Sequence, residues 1–277
     1  MSGGIKIRES RCRGCANCIK SCPTEALRVI DGLVRILPDL CIDCGECIRS
    51  CKDKAITVND DEWDLIKTRE GLILMADPTF YVQVGAYSRP RLMKEALEHH
   101  GLRDLSEWAS LAFDLAAFAS ARLIRDAGDN LPYISTYCPA VIRLIQINHP
   151  ELVGRILPVE SLLETAVSIW REETGAEESV TLVSPCPAKA TLVRNPVGRE
   201  QSSLEYVVSV RKVIRDLLAC NVKVTGTKTK AISRRWLLWS ISGGESRHIS
   251  SFFDKGFTSV SVSGLRNTQD LLNELEL

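Results

Sequence analysis

Eight of the chain's 11 cysteines fall in two blocks of one pattern. CRGCANCIKSCP carries Cys12, Cys15, Cys18 and Cys22, and CIDCGECIRSCK carries Cys41, Cys44, Cys47 and Cys51. Each block reads C-x2-C-x2-C-x3-C, and equivalent positions differ by 29 throughout. Thiolates at this spacing suit an iron–sulfur cube, which offers four corners. A tight C-x2-C-x2-C loop wraps three corners, and the fourth cysteine, on the next helical turn, points to a neighbouring cube. The pattern assigns Cys12, Cys15, Cys18 and Cys51 to one 4Fe-4S cluster, and Cys41, Cys44, Cys47 and Cys22 to a second. Zinc sites set C-x2-C pairs apart rather than running four cysteines together, so zinc is the lesser reading. Crossed ligation also ties together two halves whose core is too small to stand alone.

The tails match as well, with TEALRV after the first block and DKAITV after the second. This is an internal duplication, and over residues 5–58 it resembles the bacterial two-cluster ferredoxin module. That module is expected to occupy residues 1–60. Lys52 departs from the family, which usually has proline there; Pro23 keeps it in the first block.

Two further cysteines stand apart, in STYCPAVIRL and VSPCPAKA. Cys138 and Cys186 each precede a proline, and each follows an apolar stretch that reads as a strand. A helix beginning at that proline would direct its partial positive charge and unpaired N–H groups at the thiol, favouring thiolate. Two readings stay open on local sequence: buried structural thiols, or metal ligands. Cys220, in DLLACNV, reads as a core thiol at a helix end.

The elements that position these cysteines follow from pattern. Residues 59–71 read as a linker that begins a second domain over 61–277. LILMADP is an apolar run stopped by Asp-Pro, which suits a buried strand. RPRLMKEALEHHG reads as a helix with Pro90 in its first turn and Gly101 past its end. A long helix follows over 106–128, with Ser106 as N-cap and Trp108, Leu111, Leu115 and Phe118 as its core stripe. LPYIST, ESVTLVS and FTSVSVSG read as strands, Pro139 to about Asn148 as an apolar helix, and TQDLLNELEL as a last helix. Strands alternating with helices predict an α/β fold with a mainly parallel sheet. In such sheets ligands gather at the carboxyl ends of strands, where Cys138 and Cys186 fall. Trp236 and Trp239 are expected in the core. His99, His100, His149 and His248 show no ligand spacing among themselves.

Charge excludes some classes. With 35 Lys and Arg against 35 Asp and Glu, nothing drives binding to nucleic acid, which needs an excess of basic residues. No stretch has the roughly 20 apolar residues of a membrane span, and the N-terminus lacks the apolar centre of a signal peptide. A cytoplasmic, reducing location is expected, where many cysteines read as metal ligands rather than disulfides.

From residue 72 onward the chain resembles the catalytic domain of iron-only hydrogenases, most closely the sensory-type branch. ILMADPTFYVQVG resembles that family's opening strand and Ala-Pro turn. STYCPAVIRLIQINHPEL resembles its Thr-Ser-Cys-Cys-Pro motif and the helix and Tyr-Pro-Glu-Leu that follow. VSPCPAKA resembles its Met-Pro-Cys-x-x-Lys motif, SISGGESRHI its Gly-Gly turn, and VSVSGLRNTQDLL its late strand with Ser-Gly-x-x-Asn. The resemblance implies that Cys138 and Cys186 match cubane ligands, giving a possible third cluster. Tyr137 stands where the family has a proton-relay cysteine, and a phenol with an unperturbed pKa near 10 relays poorly at neutral pH. Lys189 matches the lysine that contacts the diiron ligands, though a lone lysine near a helix start is more often solvated. The family's closing Cys-x-x-x-Cys motif, which bridges to the diiron unit, does not occur before Leu277.

These features imply an electron-transfer subunit of a larger anaerobic oxidoreductase, not catalytic alone. Its partners would be flavin-, molybdenum/tungsten- or iron–sulfur-containing redox subunits. Alternatives are a redox-sensing regulator and a hydrogenase completed by another chain.

Overall fold

The computed structural model describes residues 3–82, 90–128, 131–219 and 232–276. The N-terminal module folds around the cysteines themselves. Ile5, Leu27, Val34 and Ile56 pack with Cys18 and Cys47 in one small core. Strand β1 (Ile5–Ile7) pairs antiparallel with β4 (Ile56–Val58), so the module's two ends meet. Between them β2 (Leu27–Ile30) and β3 (Leu33–Ile36) form a hairpin. Its two-residue turn, Asp31 and Gly32, has positive φ at both positions (51° and 75°), as hairpin twist demands.

The duplication is visible in the backbone. Helices α1 (Asn17–Lys20) and α2 (Glu46–Ser50) begin 29 residues apart, each preceded by a left-handed residue, Ala16 and Gly45. Two more pairs at the same offset, Gly14 with Asp43 and Glu25 with Lys54, also have positive φ. Ser21 and Ser50 meet across the centre, Oγ to Oγ at 2.9 Å, 29 positions apart.

The second domain is built on a parallel sheet of order β6-β5-β7-β8, from Arg103–Asp104, Ile73–Ala76, Val180–Val183 and Tyr206–Val208. Every residue of β5 and β7 is buried, as continuous apolar runs in covered parallel strands should be. The other helices are α3 (Trp63–Ile66), α4 (Pro78–Val82), α5 (Pro90–His99), α6 (Ser106–Asp126), α7 (Pro139–Asn148), α8 (Leu162–Thr174) and α9 (Pro187–Arg194). Then come α10 (Val210–Ala219), α11 (Arg234–Leu238), α12 (Gly244–Ser250) and α13 (Leu265–Leu275). Among the described residues no helix is long and apolar enough to cross a membrane.

Residues 59–71 do more than connect. Asp61 N–H donates to Val207 O at 2.8 Å, and Val207 N–H returns to Asp61 Oδ2 at 2.7 Å, extending the sheet edge at β8. Arg194 reaches Asn59 O and Asp61, while Trp63 Nε1 donates to Asp216. Trp63 and Ile66 then enter the main core.

Four local expectations fail for physical reasons. Leu111, Leu115 and Phe118 are 40%, 48% and 46% exposed, so they do not form the core stripe of α6. The buried face carries Ala109, Ala112, Phe113, Ala117 and Ala121 instead; small residues let α8 approach closely, which a leucine stripe would prevent. Trp108 is half-buried and donates to Glu173. Ser106 is the first helical residue rather than the cap, and Asp104 accepts its N–H at 3.1 Å. FTSVSVSG forms no strand: it runs exposed, with Val260 on the surface. LPYIST is reduced to a single parallel bridge between Ile134 and Ile156.

Candidate metal centres

In the cysteine module, Cys22 of the first block joins the three loop cysteines of the second. Cys22, Cys41, Cys44 and Cys47 line one cavity, walled by Ile5 and Leu27. Burial pushes the Cys44 thiol up to about 11, with Cys22 adding its charge. Burial and then the Asp43 carboxylate take Cys41 up to about 12. Cys47 is raised further by burial and by Cys44, Cys41 and Cys22. Cys18 is raised by burial and feels Cys15 and Cys51. Thiols so crowded ionise together only around a cation-rich centre, so the donor sets fit iron–sulfur clusters. Backbone N–H groups already aim at the two crossing sulfurs: Ala26 at Cys22 Sγ and Ala55 at Cys51 Sγ, both at 3.2 Å.

The two groups face different surroundings. Cys15 is exposed. Cys44 instead packs with Ile42 against Leu144 and Ile145 of α7. Asp43 is the joint. It is 2% exposed and accepts from Gly4 N–H at 3.0 Å, Thr191 Oγ1 of α9 at 2.7 Å and Arg143 of α7 at 3.3 Å. Cys41 Sγ donates to it at 3.7 Å, and Arg143 also donates to Cys41 O at 3.4 Å. Glycine is required opposite: a Cβ on Gly4 would lie 1.9 Å from Pro187 O. One carboxylate therefore grips both helices that begin at the isolated cysteines. Removing its charge in Asp43→Asn should raise the midpoint potential of the second centre, on the order of 50 mV for a screened charge at this range. Redox titration followed by EPR reads the shift.

Cys138 and Cys186 are the N-cap residues of α7 and α9, each with proline next. Cys138 is exposed and Cys186 half-buried. Burial pushes the Cys186 thiol up and the nearby Cys138 adds to that, while Lys189 opposes it. Cys186 follows the carboxyl end of β7, and Cys138 follows the bridge at Ile134. Ser184, just after β7, accepts from Cys186 N–H at 3.2 Å, and Ser135 accepts from Tyr137 N–H at 3.0 Å. These serines fix the turns from which the cysteines start.

Lys189 is not solvated, contrary to its expected reading. It is 7% exposed. Its ammonium sits 2.5 Å from Asp77 Oδ2 and 4.2 Å from the centre of the Tyr137 ring. The expectation failed because Asp77, at the end of β5, lies 112 positions earlier. Asp77 also accepts from Thr79 N–H and Oγ1 at 3.1 and 2.9 Å. Burial alone would push the Asp77 carboxyl up; the Lys189 charge overrides it and holds the group below the usual carboxylate range. Burial opposes charge on Lys189, but Asp77 raises it above the ordinary lysine value. Burial lifts the Tyr137 phenol to about 12, and its ring packs edge-on against Phe113 and Trp239.

Asp43 and Asp77 escaped sequence reasoning. The Asp-Pro-Thr at the end of an apolar run was the available signal for Asp77; nothing local marks Asp43. Trp236 and Trp239 are buried as expected. Gly243 has φ 76° before α12, and a Cβ on Gly244 would fall 1.7 Å from Leu238 O, so the Gly-Gly turn is sterically required. Cys220 lies outside the described residues.

Comparison with known proteins finds two matching families. Residues 4–61 match a 4Fe-4S dicluster domain. Residues 70–276 match the iron-only hydrogenase large subunit, C-terminal domain. The chain belongs to the iron-only hydrogenase large-subunit family through that domain, with an iron–sulfur dicluster domain before it. One similar solved structure comes from work on oxygen inactivation of an FeFe-hydrogenase through damage to the 2Fe subcluster. It is 13% identical with TM-score 0.48, over 70% of this chain and 56% of that one. This chain thus spans just over half the length of that hydrogenase. No curated protein matches.

Proposed function

We propose that this chain is an electron-transfer subunit of a larger oxidoreductase, passing single electrons between a partner redox subunit and a soluble carrier. When bound, two 4Fe-4S clusters supply one-electron chemistry, held by Cys12, Cys15, Cys18 and Cys51 and by Cys41, Cys44, Cys47 and Cys22. The observation that carries the reading is the Asp43 joint, which ties the second cysteine loop to both helices that start at Cys138 and Cys186. The exposed Cys15 side offers access from solvent, and the Cys44 side leads inward.

Cys138 and Cys186 then hold a third iron–sulfur cluster. Two thiols cannot close a cube, and the missing donors come from a partner chain at a shared interface; the exposure of Cys138 supports this. The partner is a flavin-, molybdenum/tungsten- or iron–sulfur-containing subunit. Tyr137, at the relay position, carries a phenol pushed to about 12 by burial, which supports loss of hydrogen chemistry with retention of the scaffold.

The experiment is anaerobic purification of the assembled complex, with iron counting and EPR. The double change Cys138→Ala and Cys186→Ala should remove about four irons per chain, the content of one cube. The ferredoxin-type signals should stay. Unchanged iron and EPR would make both cysteines structural and leave the domain as a docking platform only.

A further inference from the structure

We infer that His149, Glu151 and Glu276 form a site for one divalent transition-metal cation, zinc or a similar ion, that clasps the C-terminal helix to α7. The three side chains come from different parts of the fold. His149 caps the end of α7, Glu151 lies in the 3-10 turn Pro150–Arg155 that follows, and Glu276 caps the end of α13. Their ligand atoms lie within 4.8 Å of one another. Bonds of about 2.0–2.2 Å to zinc place donors no more than about 4 Å apart. Both glutamates are exposed, so their side chains have room to turn and close the remaining gap.

The donor set is chemically selective. One imidazole nitrogen with two carboxylates suits zinc, iron(II) or manganese(II), and disfavours calcium and magnesium, which take oxygen alone. Three protein ligands leave a coordination position for water.

Independently of the donors, the place itself calls for positive charge. Two helices, α7 and α13, end here, and helix C-termini carry partial negative charge. Neither has a basic residue in its last turn. Two carboxylates are added to that, and Glu276 pairs with His149. Among the described residues the one basic side chain paired with either glutamate is His149, itself buried.

The clasp has something to hold. Helix α13 buries one residue, Leu272, and it packs with Leu144, Ile145 and Leu152 beside Ile42 of the second cysteine loop. The metal would pin a thinly anchored helix over the joint between the two domains.

The test uses the full chain with its clusters loaded, under anaerobic conditions, in a Cys138→Ser, Cys186→Ser background that removes competing thiols. Zinc is titrated calorimetrically, with iron counted before and after. The expected result is one zinc per chain at constant iron. Glu276→Gln should weaken binding by no less than the about tenfold cost of disturbing an outer-shell partner, and His149→Ala should abolish it. Zinc should also slow hydrogen exchange in 265–275 in the parent, but not in Glu276→Gln. His149 is buried, so the exposed Glu276 variant decides the matter if His149→Ala fails to fold. Zinc uptake only with loss of iron, no uptake at all, or equal affinity in Glu276→Gln would overturn the assignment.

Discussion

Lys189→Met is expected to destabilise the second domain by about 3–5 kcal/mol, the cost of leaving one member of a buried ion pair uncompensated. Asp77 would lose its 2.5 Å partner and keep a negative charge almost out of reach of water. Asp77→Asn should cost a similar amount from the other side. The double variant should recover most of the loss, because neither buried charge then remains. Urea unfolding of the anaerobic full chain, followed by tryptophan fluorescence from Trp236 and Trp239, measures all three. A double variant no more stable than the singles would mean that the pair's geometry, rather than its charge balance, supports the strand ends.

The pH dependence has a definite sign. The Asp77 carboxyl is lowered in the folded chain. Its stabilisation is therefore complete above an unfolded pKa of about 3.9 and drains as pH falls through the lower folded value. The Lys189 ammonium is raised. Its share is complete below an unfolded pKa of about 10.4 and drains as pH rises through the higher folded value. The stability difference between parent and double variant should be flat from about pH 5 to 9.

Cys22→Ala is expected to cost about four irons per chain, and from the second centre rather than the first. Although Cys22 belongs to the first sequence block, its thiol lines the cavity of Cys41, Cys44 and Cys47. The centre held by Cys12, Cys15, Cys18 and Cys51 should keep its EPR signal. Cys51→Ala should give the mirror outcome, since Cys51 lies beside Cys18. If either variant silenced the centre of its own block, ligation would be uncrossed.

What the sequence made legible follows from the range of each interaction. The cysteine blocks were readable because three ligands of a cube sit within one loop, so spacing carries geometry. Helices α5 and α7 were readable from Pro90, Gly101 and Pro139, whose backbone constraints act locally. The α6 stripe misled because Leu111, Leu115 and Phe118 face outward there, and the buried face is made by Phe113 and a row of alanines. FTSVSVSG has strand composition, but it lies exposed and pairs with no strand. The roles of Lys189 and Asp43 depended on partners more than a hundred positions away in Asp77 and Thr191. No local pattern reports those.

The paired left-handed residues Gly14 and Asp43 occupy the same place in the two repeats. A Cβ on Gly14 would meet Gly32 O at 2.8 Å, so the first repeat cannot accept an aspartate there. The second repeat has no such obstruction and uses the position for the carboxylate that grips α7 and α9. A duplicated unit has two equivalent ends and could in principle plug into its neighbour either way round. This one substitution acts as a key. Only one end fits the socket, and the hairpin turn prevents the other from being cut to match.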